Sequence, residues 1–543
     1  MTARKYVMVT RGLRVQLSNT EPVRNAIHPA LTLSVRPGSF DYMMKTWGSR
    51  GWRAMQDCRR LVLVAVTGCS TFLAACSEMG PVSSKNQTLT SALPASARYL
   101  VELRSAGSPS AALTTQIRAG GGHIIYAHAG TGIVVVAGLS ASAATALRQR
   151  SDVQTVLADT KRLTVHDPAF ARFTGKNLKA LHRTPSLTAR GATDPRTATA
   201  FADGLQWNMT QIQADSAWQI TSQGAGEKVF ILDSGVDTAQ IELVGLVNTS
   251  LSTSFVFAPT DTVDTLPLPF GHDVVGHGTF VSSLIASNSI NIAAVAPQAQ
   301  LVMVRVLDDN GEGSFFGNLE GILYATDNNA DVINMSLGGY FDRTSADDMA
   351  FVDVFQRVVD YAFQRGILLV AAAGNSAVDF NTATSPTGSY ADSLNAPAGL
   401  HHILSVGATG PIGQANFDDI ASYSNFGSAG VAVFAPGGNI ADTAAADTAD
   451  ADDDLVIGAC SSFSSICPGS EDSYAIGAGT SFASPMTAGE AAVVKGQATT
   501  VVGQALETCI ATTSSEVTGK RPDPDYNFGR IDVLNAINSK SCQ

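Results

Sequence analysis

The sequence predicts an α/β protein with a parallel sheet flanked by helices on both faces, preceded by a small α+β unit of ferredoxin-like order. Three observations carry this. From about Leu205 onward, strand-like apolar runs alternate with helix-like segments, the pattern of a sheet covered on both sides. Those runs end in polar residues, as the carboxyl ends of parallel strands do where ligands gather. Between Arg98 and Val165, period-2 and helical stretches follow one another in the order β-α-β-β-α-β.

The 543 residues are too many for one ordinary domain, and the composition is globular: 45% hydrophobic, 15% charged, with 49 glycines. Charge is uneven. Residues 1–204 carry 25 Lys+Arg against 10 Asp+Glu, and residues 205–543 carry 10 against 37. An acidic C-terminal part does not suit nucleic acid, whose phosphates need a positive surface. A basic N-terminal part can dock on it instead.

Residues 1–54 show no periodicity and precede a second possible start at Met55, so they are expected to lie outside the working protein. Residues 55–76 have the layout of a secretory signal: a short basic head, then the apolar run Leu61 to Ala75, too short and too interrupted for a transmembrane helix. The run closes on Leu73-Ala74-Ala75-Cys76, which resembles the lipobox of bacterial lipoproteins, as Val66-Thr67-Gly68-Cys69 does less well. That likeness implies lipid on Cys76, a membrane anchor and, with Ser77 following, the outer membrane of a two-membrane bacterium. Cys58, Cys69 and Cys76 belong to this leader. In an exported chain the other four, Cys460, Cys467, Cys509 and Cys542, are expected to form two disulfides. Of three connectivities, Cys460–Cys467 with Cys509–Cys542 is favoured, and a metal site is the alternative.

After a Ser/Pro/Lys/Gln linker at 77–96, residues 97–165 form the first folded unit. Arg98 to Arg104 alternates like a strand, Ser110 to Arg118 suits a helix, and Gly122 to His128 and Gly132 to Gly138 are strand-like. Ser140 to Gln149 is helical and Val153 to Val165 strand-like. Residues 166–205 are basic and rich in Pro, Thr and Ala without periodicity, an exposed, cleavable connector. Residues 206–543 form the main domain. There Lys228 to Leu232 runs into Asp233, Leu301 to Val306 into Leu307-Asp308-Asp309, Val332 to Met335 into Ser336-Leu337-Gly338-Gly339, and Ile367 to Ala373 into Gly374-Asn375.

Two further stretches stand at helix beginnings. Gly276-His277-Gly278-Thr279 opens the helical stretch Phe280 to Ala286, and Gly479-Thr480-Ser481-Phe482-Ala483-Ser484-Pro485 runs into the apolar segment Met486 to Val494. Taken singly, an aspartate after a strand is a turn residue, a histidine between glycines a polar turn, and a serine at a helix start an N-cap. Together Asp233, His277 and Ser481 supply the carboxylate, imidazole and hydroxyl that nucleophilic acyl chemistry needs, because serine is a weak nucleophile without a base, and the base needs an orienting carboxylate.

These residues resemble the motifs of the subtilisin-like serine proteases, the subtilase family, in the order Asp, His, Ser. Val229 to Asp237, Gly276 to Val281 and Gly479 to Pro485 match the three catalytic motifs. Ala373-Gly374-Asn375 matches the oxyanion-hole segment, and Ala294 to Leu307, Ser336 to Gly339 and Phe528 to Asp532 match as well, covering roughly residues 205–543. The resemblance implies a monomeric, exported serine endopeptidase acting on proteins and peptides without a cofactor for its chemistry. In it Ser481 would be nucleophile, His277 base, Asp233 orienter and Asn375 oxyanion donor, with Ser336, Leu337, Gly338, Gly339, Ala373 and Gly374 walling the pocket for the residue before the cut. Small walls lead us to expect an apolar preference there, which a requirement for Arg or Lys in a peptide-library digest would refute. The resemblance also implies that 97–165 is an inhibitor propeptide, an unrelated adaptor being the alternative, and that its removal frees the enzyme from the anchor.

The sequence departs from the family at Phe280 and Met486-Thr487, which bear on helix packing, and at Ser287 to Ile292, shorter than the loop that binds calcium in many relatives. Structural calcium is therefore open, there or in the Asp-rich insertion Ala441 to Asp472 with Asp442, Asp447, Asp450, Asp452, Asp453 and Asp454. Two other readings are a catalytically silent surface binding protein of this fold, and the carboxyl-serine peptidases, which carry Glu where His277 stands. Keeping Asp233, His277, Asn375 and Ser481 together disfavours the first, and Gly276-His277-Gly278-Thr279 disfavours the second.

Overall fold

The computed structural model describes residues 98–165, 167–172, 194–256, 267–440, 451–467 and 472–543. The leader, Cys76, the linkers 77–96 and 173–193 and the aspartates at 442, 447 and 450 lie outside them.

The first folded unit has the predicted order: β1 (Tyr99–Leu103), α1 (Ala111–Ala119), β2 (His123–His128), β3 (Ile133–Ala137), α2 (Ala141–Leu147) and β4 (Val153–Ala158). Its sheet is antiparallel in the order β2-β3-β1-β4. Ser110 and Ser140 cap α1 and α2, each accepting a backbone N–H in the first turn. Alternation along β1 sends Tyr99, Val101 and Leu103 to the helices of this unit, with Leu113, Ile117 and Leu147. Leu100, with Ile133, Val135 and Leu157, faces the main domain instead and shares its core.

The expected strand Val153 to Val165 is corrected. It stops at Ala158, turns, and resumes as β5 (Arg162–Thr164), which pairs antiparallel with β10 (Glu312–Ser314) of the main domain. The connector is corrected as well: Ala169–Arg172 is a strand, β6, not loose chain.

The main domain is built on seven strands, all parallel: β7 (Lys228–Asp233), β8 (Thr253–Ser254), β9 (Gln300–Arg305), β11 (Val332–Met335), β13 (Leu368–Ala372), β15 (Ile403–Thr409) and β16 (Val433–Pro436), in the order β16-β15-β13-β11-β7-β9-β8. The near-continuous apolar runs follow from burial on both faces. On one face α3 (His277–Ile285) and α6 (Thr480–Gln497) pack against Val229, Ile231 and Val370. On the other, α4 (Phe315–Asp327) and α5 (Ala346–Phe363) pack against Phe230, Leu232, Val302 and Val304. β12 (Gly339–Asp342) pairs with β14 (Ser393–Ala396), and β17 (Val456–Ala459) and β18 (Tyr474–Ala478) form a hairpin that β6 joins along β18. The helices α7 (Gln504–Thr513) and α8 (Val533–Asn538) close the chain.

Both disulfides form as favoured, Cys460–Cys467 and Cys509–Cys542. No helix among the described residues is long and apolar enough to cross a membrane.

Candidate active site

Asp233 ends β7 with its side chain fully buried, and Oδ1 accepts from Nδ1 of His277 at 2.8 Å and from the Ser234 N–H at 2.7 Å. A carboxylate can only accept here, so it fixes the proton of the ring on Nδ1 and leaves Nε2 facing the cleft. His277 is the first residue of α3. The turn before it is left-handed at Gly276, with φ 84°, and a Cβ on Gly278 would stand 2.1 Å from the Gly235 carbonyl oxygen, so only glycine lets the two segments meet.

A residue the sequence reading passed over holds that turn. Asp273, fully buried, accepts from Ser234 Oγ, from the N–H groups of Gly276 and Thr279 and from Thr279 Oγ1. Burial pushes its carboxyl up and the Thr279 hydrogen bonds pull it back. Its place four residues before His277 was the available signal.

Ser481 is the second residue of α6, and the cap position is Gly479, with no side-chain hydrogen bond at the helix start. Ser481 is therefore not the N-cap. The start of α6 is tied to the end of β11: Ser336 Oγ donates to the Ser481 carbonyl at 2.8 Å, Asn334 Nδ2 donates to Ser336 Oγ, and Ser484 Oγ donates to Asn334 Oδ1. Ser336 thus holds the start of α6 in place and turns its side chain into this network. The rings of His277 and Phe482 lie 5.7 Å apart, which brings the beginnings of α3 and α6 together.

Asn375 follows β13. Its Oδ1 accepts from the N–H and the hydroxyl of Thr480, at 2.9 and 2.8 Å. With the oxygen so clamped, Nδ2 is the atom turned to the cleft. There it donates to Oδ1 of Asp167 at 3.2 Å, and Oδ2 of Asp167 lies 3.0 Å from Nε2 of His277. Glycine at 479 makes room for this carboxylate, since a Cβ there would stand 2.3 Å from Oδ1 of Asp167. Burial lowers the His277 pKa, but the facing carboxylates of Asp233 and Asp167 outweigh it and hold the ring well above its usual value.

Asp167 belongs to a segment that threads the cleft. Leu163 is fully buried opposite Gly313. Thr164 exchanges backbone hydrogen bonds with Gly338 at 3.0 and 3.1 Å, and Val165 donates to the Gly311 carbonyl. Beyond Asp167, β6 pairs with β18, and Phe170 sits edge-on to Phe280. Residues 162–165 are thus the middle strand between β10 and the Gly338 segment, with Gly339 close behind Leu163. Leu337 is buried in the core under α4 and α5. The Ala373 carbonyl accepts from two buried amides, Asn395 and Asn425, and Gly374 donates to Thr480 Oγ1.

The loop Ser287 to Ile292 turns its donors toward Glu242: Ser287 Oγ and the N–H groups of 290, 291 and 292 all reach that carboxylate, as does the Tyr474 hydroxyl. Donors of this kind do not ligate a cation, so these residues do not fit calcium there. Among the described residues, no group of three or more acidic, His or Cys side chains could hold a metal.

The comparisons agree with this geometry. The model of the subtilase family, peptidase family S8, matches residues 224–530, more than half of the chain, and the chain belongs to that family of serine peptidases. It is 31% identical over 340 residues to thermitase of Thermoactinomyces vulgaris, a match covering 62% of this chain and 97% of thermitase. It is 33% identical over 277 residues to subtilisin NAT of Bacillus subtilis subsp. natto, covering 51% of this chain and 63% of that one. Among solved structures, the epidermin leader peptide processing protease of Staphylococcus aureus has the same fold, with TM-score 0.63 and 20% identity over 81% of this chain and 97% of that one.

Proposed function

We propose that the chain is an exported serine endopeptidase made as a zymogen, with residues 97–165 as its inhibitor propeptide. The observation that carries this is the chain's own residues 162–165, paired on both sides between β10 and Gly338 as a peptide substrate would be, with Asp167 against Asn375 and His277. In the reading we favour, Ser481 Oγ attacks a peptide carbonyl while Nε2 of His277 takes its proton. Asn375 Nδ2 and the Ser481 N–H donate to the oxygen that becomes negative. His277 then gives the proton to the leaving amine, and water repeats the sequence on the acyl-enzyme. Asp233 keeps the imidazole tautomer right.

Counting from Thr164, which pairs with Gly338, to Asp167 at His277 supports the bond between residues 166 and 167 as the self-processed one; His166 itself lies outside the described residues. Until Asp167 leaves, its carboxylate takes up Asn375 Nδ2, one of the two donors that a reacting oxygen needs. Two disulfides among the described residues support export, and lipid on Cys76 would sit on the propeptide side of the cut.

Intact mass and membrane-versus-soluble partition of the wild type beside Ser481→Ala test this. The wild type should appear as two pieces split after residue 166, with the larger one soluble, and Ser481→Ala as one anchored chain. Equal processing and equal partition of the two would overturn it.

A further inference from the structure

Cys509–Cys542 joins residues 33 positions apart, whereas Cys460–Cys467 closes a loop across only 7. So short a link restrains the unfolded chain less than the longer one does. What it fixes is the loop inside it, and three serines of that loop reach the turn that carries His277 and the segment that follows Asp233.

Ser461 Oγ donates to the Asp273 carbonyl at 2.7 Å and Ser464 Oγ to the Val275 carbonyl at 3.3 Å, both in the turn that ends at His277. A Cβ on Gly276 would stand 3.1 Å from Oγ of Ser464, so the loop lies against the residue just before the imidazole. A carbonyl only accepts, so each hydroxyl must donate; each in turn accepts a backbone N–H two residues on, from Phe463 and from Ile466, which sets its rotation. Ser461 and Ser464 are 0% and 1% exposed, so solvent does not replace these bonds if the loop shifts.

The third serine reaches the other arm. The N–H and Oγ of Ser462 donate to Oδ2 of Asp237 at 2.9 and 2.7 Å. Asp237 lies four residues beyond Asp233, and its own N–H donates to Thr279 Oγ1 in the first turn of α3. The loop thus braces from outside the two segments whose side chains meet at the 2.8 Å contact between Asp233 and His277.

We propose that the loop closed by Cys460–Cys467 positions the reacting groups: Ser461, Ser462 and Ser464 hold the arms of Asp233 and His277 in register, and the bond between the cysteines keeps the three donors on one side. The inference rests on the peptidase reading above, in which His277 is the base and Asp233 its orienter. A displacement of the ring by a fraction of its hydrogen-bond length weakens proton transfer far more than it weakens substrate binding.

The test compares processed enzyme of the parent with Cys460→Ala/Cys467→Ala, with Ser461→Ala and, for the other disulfide, with Cys509→Ala/Cys542→Ala, all on one internally quenched peptide that the parent cleaves. Variants slow to self-process are cut by tagged parent enzyme, which is then removed, and circular dichroism reports that each is folded. Opening the short loop should lower kcat about tenfold or more and Ser461→Ala several-fold, with KM within about twofold of the parent. Cys509→Ala/Cys542→Ala should keep both constants. The low-field proton resonance of His277 Nδ1, which reports its bond to Asp233, should shift or broaden in the first two variants and stay in place in the third. If Cys460→Ala/Cys467→Ala does not fold, Ser461→Ala decides by the same readouts. Parental kcat with an unmoved resonance in the folded variants, or an equal loss of kcat on opening either disulfide, overturns the proposal. If a fluorophosphonate fails to label Ser481 in the parent, the peptidase reading falls and takes this with it; if it labels parent and loop variants at one rate, only the positioning role falls.

Discussion

His277 lies between two carboxylates, Asp233 at 2.8 Å from Nδ1 and Asp167 at 3.0 Å from Nε2. Burial opposes the charged ring, but the two anions more than compensate and raise its pKa well above the ordinary 6.5. A raised folded-state value means that the contact contributes stability in full below the ordinary imidazole pKa, and loses it as pH climbs through the raised value. While Asp167 is in place the imidazole therefore holds its proton to higher pH than a free ring does, and is the less fit to take the serine proton. Self-processing should then rise with pH and reach half its maximum at a higher pH than hydrolysis of a peptide by the processed enzyme. Asp167→Asn removes one anion and keeps the shape. Its half-maximum for self-processing, followed by intact mass over time, should fall toward that of the processed enzyme, with several-fold faster processing near neutrality. An unchanged profile would mean that Asp167 does not govern the base.

At the scale of elements, what the sequence revealed depended on where the pairing information sat. β1 to β4 and the parallel strands β7, β9, β11 and β13 were legible because burial writes itself into the chain as period-2 alternation or as continuous apolar runs. β5 and β6 were not, because they attach by backbone hydrogen bonds to partners roughly 150 and 300 positions away, Glu312–Ser314 and Tyr474–Ala478, which impose no side-chain pattern. Asp167 was missed for that reason, lying in a stretch that reads as loose connector. Asn334, Asn395 and Asn425 were missed because a buried amide is informative only once its partners are known. Asp233, His277, Ser481 and Asn375 stand out in the sequence as motifs, since close backbone approach demands glycines beside them. The cysteines were legible too, and their spacing predicts unequal effects. Cys509–Cys542 ties α7 to the chain end across a separation of 33 residues, and Cys460–Cys467 spans 7. Loop-closure entropy makes the longer link worth about 3–4 kcal/mol and the shorter about 2–3. Denaturant unfolding of Cys509→Ala/Cys542→Ala should therefore show the larger loss of stability, and the reverse order would rule out chain entropy as the main term.

At the scale of the molecule, the basic first part does meet the acidic second part, though the charges are mixed. Lys161 pairs with Asp348 and His128 with Asp327, while Glu102 pairs with Arg357 in the opposite sense. The apolar side of the four-stranded sheet carries the attachment, and one group in the contact is ill-suited to neutral pH. Glu320 on α4 is 4% exposed, its Oε1 has no hydrogen-bond partner, and burial pushes its carboxyl up to about 8, with Arg98 lowering and Asp159 raising it. The folded chain therefore keeps a proton on Glu320 that the unfolded chain sheds near pH 4.5. Between those two values stability falls as pH rises, at most about 1.4 kcal/mol per unit, and above about 8 the loss is constant. Glutamine has the shape of the protonated acid and never ionises. In the unprocessed Ser481→Ala background, Glu320→Gln should match its parent near pH 4.5, gain on it progressively toward pH 8, and hold a constant lead above that. Equilibrium unfolding at a series of pH values measures the difference directly. Parallel curves would mean that water reaches Glu320 in the folded chain and that the seam is indifferent to its charge.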